Sequence, residues 1–321
     1  MIQDRIKKGA FLVVGRAGLD LYADPPGTRI EDAKAFFPAL GGSAANIASA
    51  ITRLGRAASL VTTVSDDAVG RYVLGQLRHY GIGIDHIRLV KGEERTSLAV
   101  VETRAENCQS VLYRNNAADF AFSNQDVAEL DYQSAAALIL TGTSFAMEPS
   151  RRASFEALKR ARAVSCPIIV DIDYRPYSWS SREDAKQICD EVAQESDILI
   201  GNDEEFAVLA GQKDGLSYAK ALASSKERIV VYKRGEKGLM AFTAEDSVEM
   251  GIYPVTALKP TGAGDAFMGG FVTGLAEGLP LQNSLDRGAA SAALVVTRVG
   301  CSPANPTADE LLTFMATHHR A

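Results

Sequence analysis

Short apolar runs recur along this 321-residue chain and constrain its fold more than any other feature. They are Phe11–Val14, Ser59–Val64, Leu98–Val101, Ala137–Leu140, Ile168–Ile172, Asp197–Ile200, Arg228–Tyr232 and Gly238–Phe242. After residue 130 they mostly alternate with helical patterns. Ser150–Ala163 follows A-L-I-L-T-G, and Ser181–Gln194 follows I-I-V-D-I-D. Strand, helix, strand at this spacing predicts βαβ units and a mostly parallel sheet. A run such as Ala137–Leu140 has no polar side, so its strand must be covered on both faces. The expected class is α/β.

Two segments leave that rhythm. Asp20–Leu40 is rich in Pro, Gly and charge and has little helical period. Arg95–Tyr113 reads as two alternating strands, T-S-L-A-V-V-E-T and Q-S-V-L-Y-R, joined by a polar turn. Together they are expected to form a small antiparallel subdomain over one edge of the main sheet. At about 150 residues per domain, length alone suggests two domains. One large domain with a small appendage fits equally well, and no linker, repeat or low-complexity stretch divides the chain.

Bulk chemistry removes several classes. The net charge is −6, so a general electrostatic grip on nucleic acid or an anionic membrane is not expected. Cys108, Cys166, Cys189 and Cys301 form no C-x-x-C, and His79, His86, His318 and His319 form no H-E-x-x-H. Neither structural zinc nor a disulfide framework is indicated. The first apolar run is too short for a signal peptide and reads as a strand. No run approaches the ~20 apolar residues of a membrane span. These features predict a cytoplasmic protein.

Five stretches carry candidate chemistry. In T-G-A-G-D, Thr261 to Asp265, glycines precede a helix start, where free backbone N–H groups and the macrodipole favour an anion. An ordinary strand-to-helix turn with Asp265 as a first-turn acid is the competing reading. The stretch is neither a Walker A loop nor G-x-G-x-x-G. The helix that follows sets Phe267, Phe271 and Leu275 on one face, while Gly269, Gly270 and Gly274 lower its propensity. A close helix–helix approach would account for those glycines. L-G-G-S-A-A-N, Leu40 to Asn46, reads as a Gly41-Gly42 turn and a helix capped by Ser43. It suits either a plain capped helix or a backbone approached by a polyhydroxyl ligand, with Asn46 bonding a hydroxyl. The near match to G-x-S-x-G lacks its final glycine and a histidine partner.

The third stretch is N-D-E-E. Asn202 and Glu205 have capping-box spacing, and the same pair could organise Mg²⁺ and its waters near nucleotide phosphates. Fourth, Y-K-R-G-E-K-G places Lys233 or Arg234 at a strand end, facing either a phosphate or solvent. Fifth, D-I-D-Y-R-P-Y-S-W follows an apolar strand, at the carboxyl end where open α/β sheets bind ligands. Asp171, Asp173 and Arg175 there suit a polar or acidic substrate, or a structural ion pair.

Taken together, these motifs resemble the ribokinase family, the PfkB-type carbohydrate kinases. Gly41-Gly42-x-x-x-Asn46 is similar to its first signature, and Thr261-Gly262-Ala263-Gly264-Asp265-Ala266-Phe267 to its second, more specific one. Asn202-x-x-Glu205 and Lys233-x-Gly235-x-x-Gly238 keep the family's order and spacing. The resemblance spans roughly residues 10 to 315. G-R-A-G-L-D-L-Y, V-L-Y-R-N-N-A-A-D, D-Y-R-P-Y-S-W and P-T-A-D-E are similar to the family's sugar-acid kinases, although Pro260-Thr261 follows the family at large.

The resemblance implies a single three-layer α/β/α domain, residues 1–321, with a β lid formed by about 18–40 and 94–115. It implies transfer of the ATP γ-phosphoryl group to a primary hydroxyl, with Mg²⁺ and, in some members, a monovalent cation such as K⁺. Asp265 would take the hydroxyl proton, and the N–H groups of Gly262, Ala263 and Gly264 would hold the developing charge. Asp20, Gly41, Gly42, Asn46 and Asp173 would bind the sugar. Arg114 and Arg175 are candidates for its carboxylate, since a guanidinium forks onto a carboxylate. Asn202, Glu205, Lys233, Gly235, Gly238 and Thr261 would serve the nucleotide, and Glu205 would reach the metal through water. Exposed lid strands would allow two copies to pair.

Overall fold

A computed structural model describes residues 2–6, 8–211 and 214–320. Nine strands form one sheet in the order Ser247–Met250, Leu239–Phe242, Ile229–Lys233, Ile198–Asn202, Ile168–Asp171, Leu138–Thr141, Phe11–Val14, Ala58–Ser65 and Ile87–Val90. The seven from Ile229–Lys233 onward pair in parallel. Leu239–Phe242 and Ser247–Met250 turn back antiparallel at one edge. The expected helix over 150–163 appears as Ser150–Ala163. The next runs Arg182–Glu195, with the Ser181 hydroxyl capping its first turn.

The apolar runs build three layers because strand residues alternate between faces. Leu12, Val14, Leu138, Leu140, Ile168, Val170 and Leu199 enter one core. Phe11, Val13, Ile139, Ile169, Ile198 and Ile200 enter the other. Helices Ser150–Ala163 and Arg182–Glu195 cover the first face, and Ser43–Arg53 and Ala263–Ala276 the second.

The helix Ala263–Ala276 shows why its glycines are tolerated. A Cβ on Gly269 would overlap Ala50 of the helix Ser43–Arg53, and one on Gly274 would lie 2.9 Å from the Ser284 backbone. Three interior glycines cost about 0.8–1.0 kcal/mol each relative to Ala. Phe267, Phe271 and Leu275 are buried on the same helix, at roughly 1.5–3 kcal/mol each, so burial outweighs the loss.

The two segments that broke the rhythm form a separate four-stranded sheet, ordered Ala35–Gly41, Gly18–Asp24, Leu98–Val101 and Ser110–Tyr113. It is not wholly antiparallel as expected. Gly18–Asp24 runs parallel to Leu98–Val101, with Leu19 opposite Leu98. The chain returns to the main sheet between these strands, and such a long crossover permits parallel pairing. Tyr22, Ala39, Ala99 and Val101 pack with Cys301, which joins this sheet to the main body.

Candidate active site

The carboxyl ends of the parallel strands meet the inner face of the second sheet at a cleft of about 480 Å³. Each strand end delivers chemistry there. Phe11–Val14 leads to Arg16, Leu138–Thr141 to Thr143, and Ile168–Asp171 to Asp171 and Asp173. Ile198–Asn202 delivers Asn202, and Ile229–Lys233 delivers Lys233. A ligand position beyond the carboxyl ends of strands is the general one for open α/β sheets.

The sequence motifs converge on this cleft. Asp20, Gly42, Asn46, Arg114, Asp173 and Arg175 line it with Asn202, Glu205, Lys233, Gly235, Thr261, Gly262, Gly264 and Asp265. Gly41, Ala263 and Gly238 do not line it. Gly41 instead makes room, since a Cβ there would overlap the Asp20 carboxylate. Gly238, at φ +78, packs against the Met250 carbonyl. Ala263 opens the helix Ala263–Ala276.

Gly262 caps that helix with φ +87, in the left-handed region that glycine tolerates. The first-turn N–H groups therefore lack intrahelical partners. A Cβ on Gly264 would lie 3.3 Å from the Lys233 ammonium, so a cation sits beside this turn. Buried Lys259 braces the turn from behind by donating to the Thr261 carbonyl.

Asp265, in the first turn, accepts a hydrogen bond from Asn46 Nδ2 at 2.9 Å. Asn46 is itself fixed, because Ser302 donates to its Oδ1 at 2.7 Å. Desolvation, then the nearby Asp173 charge, pushes the Asp265 pKa up to about 7, against the Asn46 bond and Arg175. That is a suitable poise for a general base near neutral pH.

The capping box Asn202–Glu205 forms as the spacing predicted. Asn202 Oδ1 accepts from the Glu205 N–H at 2.9 Å, and Glu205 Oε2 from the Asn202 N–H at 2.7 Å. Glu205 Oε1 also accepts from the Tyr174 N–H at 3.3 Å. Burial raises the Glu205 pKa to about 7, with Lys233 opposing and Asp171 adding to the rise. Lys233 Nζ lies 3.9 Å from Asp171 Oδ1. Burial draws the Lys233 pKa down, but Asp171, Glu205 and Asp265 outweigh it and hold the pKa above its ordinary value. Lys233 is therefore charged near neutrality. Arg234, the other candidate at this strand end, pairs with Glu249 at 2.7 Å.

At the opposite end, Asp20 accepts from the Tyr22 hydroxyl at 3.2 Å through Oδ2. Its Oδ1 is buried without a partner. An orphaned carboxylate oxygen is costly unless a ligand satisfies it, and a hydroxyl would do so. Asp173 holds φ +39, an uncommon conformation for a non-glycine residue. It accepts from Ser43 at 2.7 Å and Thr143 at 3.1 Å, and pairs with Arg175 at 2.9 Å. Arg114 pairs with Asp119 at 2.5 Å, and its guanidinium lies 4.1 Å from the Phe120 ring centroid. Both arginines expected at a substrate carboxylate therefore already hold a carboxylate of the chain.

Sequence reasoning also misplaced Ser43. Gly42 is the cap, since its carbonyl accepts the first helical bond, from the Asn46 N–H at 2.8 Å, and at φ +98 any Cβ there would strike the Arg16 carbonyl. Ser43 is freed to bond Asp173. Arg16, Thr143, Tyr177 and Cys301 line the cleft and were not singled out. Arg16 lay within the quoted stretch G-R-A-G-L-D-L-Y, the one signal that could have flagged it.

A mostly parallel α/β body with a second sheet over a cleft at its strand ends is the architecture of carbohydrate kinases. The chain belongs to the pfkB family of carbohydrate kinases, whose model matches residues 10–308. It is 36% identical over 315 residues to a 5-dehydro-2-deoxygluconokinase from Photobacterium profundum, covering 96% of this chain and 95% of that one. Its fold is similar to that of an E. coli protein crystallised with ATP and Mg²⁺, with TM-score 0.88 and 23% identity, covering 97% and 100% of the two chains. It is also similar to a Vibrio cholerae O395 fructokinase variant bound to fructose, ADP and potassium, with TM-score 0.85 and 22% identity, covering 96% and 98%. Among the described residues no helix is long and apolar enough to cross a membrane.

Proposed function

We propose that the protein transfers the γ-phosphoryl group of ATP to a primary hydroxyl of a sugar acid, and that the acceptor is 5-dehydro-2-deoxygluconate. The observation that carries the reaction is the position of Asp265. It follows the anion turn directly, so the turn and the carboxylate serve different atoms. Asp265 takes the proton of the incoming hydroxyl. The hydroxyl oxygen bonds to the γ-phosphorus as the bridging oxygen leaves with ADP. The N–H groups of Gly262 and Gly264 and the Lys233 ammonium, which line the cleft, receive the phosphoryl oxygens. Phosphoryl transfer asks mainly for such positioning and charge neutralisation. Asp20 Oδ1 and the backbone near Gly42 receive sugar hydroxyls, and Asn46 orients Asp265. The second sheet acts as a lid over the sugar. The name carried by relatives at about one-third identity supports the choice of acceptor.

The donor set fits Mg²⁺ held chiefly by nucleotide phosphates and water, as that ion prefers. No three described His, Cys, Asp or Glu side chains group into a metal cluster, and two backbone N–H groups already occupy Glu205. Glu205 and Asp171 would hold the ion through water, and the ion would offset the charge of the nucleotide phosphates.

Two measurements test this reading. ADP release is followed with ATP, Mg²⁺ and four acceptors, with and without K⁺. The acceptors are 5-dehydro-2-deoxygluconate, 2-keto-3-deoxygluconate, fructose and ribose. The first should give the highest kcat/KM. A higher value for 2-keto-3-deoxygluconate would reassign the acceptor, and no stimulation by any would favour a non-catalytic sensor. Second, kcat/KM should fall about tenfold per unit as pH drops below ~7, because protonated Asp265 cannot accept the hydroxyl proton. A flat profile from pH 5 to 8 would remove Asp265 as the base.

A further inference from the structure

Among the described residues, one cation lining the cleft forms no ion pair. Lys233 faces Asp171, Arg114 is paired with Asp119, and Arg175 with Asp173. Arg16 also lines the cleft, yet among the described residues it forms no ion pair. Among the described residues its side chain makes one hydrogen bond, from Nη1 to Ser97 Oγ at 3.0 Å. Ser97 is buried, so the bond fixes the guanidinium while using one of its five N–H donors. The seat is built around it. A Cβ on Gly18 would lie 2.9 Å from Arg16 Nη1 and 2.8 Å from Ser97 Oγ. The Arg16 carbonyl accepts from the Ala45 N–H at 3.3 Å, which ties the residue to the Gly42 turn. Arg16 thus stands at the junction of the two sheets, beside the groups that face the sugar. Its charge also lowers the pKa of Asp20, against the larger effect of burial.

An acidic acceptor adds a negative charge to a cleft already lined by Asp20, Asp171, Asp173, Glu205 and Asp265. It must find a cation that is not already neutralised. We infer that Arg16, held by Ser97 beside Gly18, is the anionic subsite that reads the acceptor's carboxylate. The inference rests on the sugar-acid reading above. Arg16 forks onto the carboxylate with its remaining N–H groups and leaves Asp20 to the hydroxyls. Arg114 and Arg175 hold Asp119 and Asp173 in place, which shapes the site without reading the acid. Arg16 is a specificity-determining residue, because this contact is the same in the ground and transition states.

The test compares Arg16→Gln, Arg16→Lys and Arg175→Gln with the unmodified protein, on 5-dehydro-2-deoxygluconate and on fructose. Arg16→Gln should raise KM for the acid about 10- to 100-fold with little change in kcat. The acid-to-fructose ratio of kcat/KM should collapse by the same factor, and Arg16→Lys should restore part of it. Calorimetric Kd values for the acid give the same comparison without turnover, and the ATP Kd with circular dichroism checks the fold. Equal losses on both acceptors would make Arg16 structural and overturn the inference, as would a larger selective loss in Arg175→Gln. If the unmodified protein neither phosphorylates nor binds the acid, the sugar-acid reading fails, and this inference with it.

Discussion

Asp265→Asn is expected to bind ATP with unchanged affinity and to lose about 10²- to 10⁴-fold in kcat, the usual contribution of a positioned base. That loss corresponds to about 2.7–5.4 kcal/mol of transition-state stabilisation. The substitution is nearly isosteric, and the new amide can present its oxygen to Asn46 Nδ2, so the 2.9 Å hydrogen bond survives. Single-turnover kinetics with isothermal titration of ATP separate the two effects. More than a tenth of the normal rate would exclude Asp265 as base. Glu205 is also raised to about 7, so the pH profile of Glu205→Gln assigns the ionisation. A stability readout carries an independent sign. The native pKa of Asp265 lies above its unfolded value of about 3.9, so the native state holds the proton more tightly. Its contribution to stability is present at low pH and is lost as pH rises from about 4 to about 7. Asn has no charge to bury, so Asp265→Asn should melt at or above the normal temperature at pH 8.

Much of this site was legible because its parts are local. T-G-A-G-D, G-G-S-A-A-N and N-D-E-E each encode a turn and a helix start within a few residues, and short-range geometry then dictates where N–H groups point. The strands were legible because continuous apolar runs such as Phe11 to Val14, buried at every position, leave no polar side. The rest depends on what the fold brings near. Ser43 reads as a cap until the fold brings the Arg16 carbonyl against Gly42, where only glycine fits, and the Gly42 carbonyl takes the first helical bond. Arg114 reads as a free guanidinium until Asp119 and Phe120 fold back onto it. The parallel pairing of Gly18–Asp24 with Leu98–Val101 joins strands more than seventy residues apart, which no local pattern reports. Cys301 reads as an isolated thiol. Only packing shows that it contacts Tyr22 at 3.1 Å and stands behind Gly262.

That last contact sets the second large effect. Gly262→Ala should lower kcat by about 10²- to 10³-fold, as for the loss of an anion-hole donor. Two physical causes act together. The residue sits at φ +87, where an L side chain costs roughly 1–2 kcal/mol. A Cβ would also lie 2.8 Å from Cys301 Sγ and 3.1 Å from Cys301 Cβ, and a buried Cys301 cannot easily withdraw. The turn must then rotate, and its N–H groups swing away from the phosphoryl position. The ATP Kd should rise far less than kcat falls, because remote nucleotide contacts persist. The double variant Gly262→Ala, Cys301→Ala divides the two causes. Removing the sulfur relieves the closer contact and leaves the dihedral cost. Recovery of tenfold or more in kcat would assign the defect to the clash, whereas no recovery would assign it to the left-handed backbone. Normal activity in Gly262→Ala alone would show that the turn does not hold the transferred group.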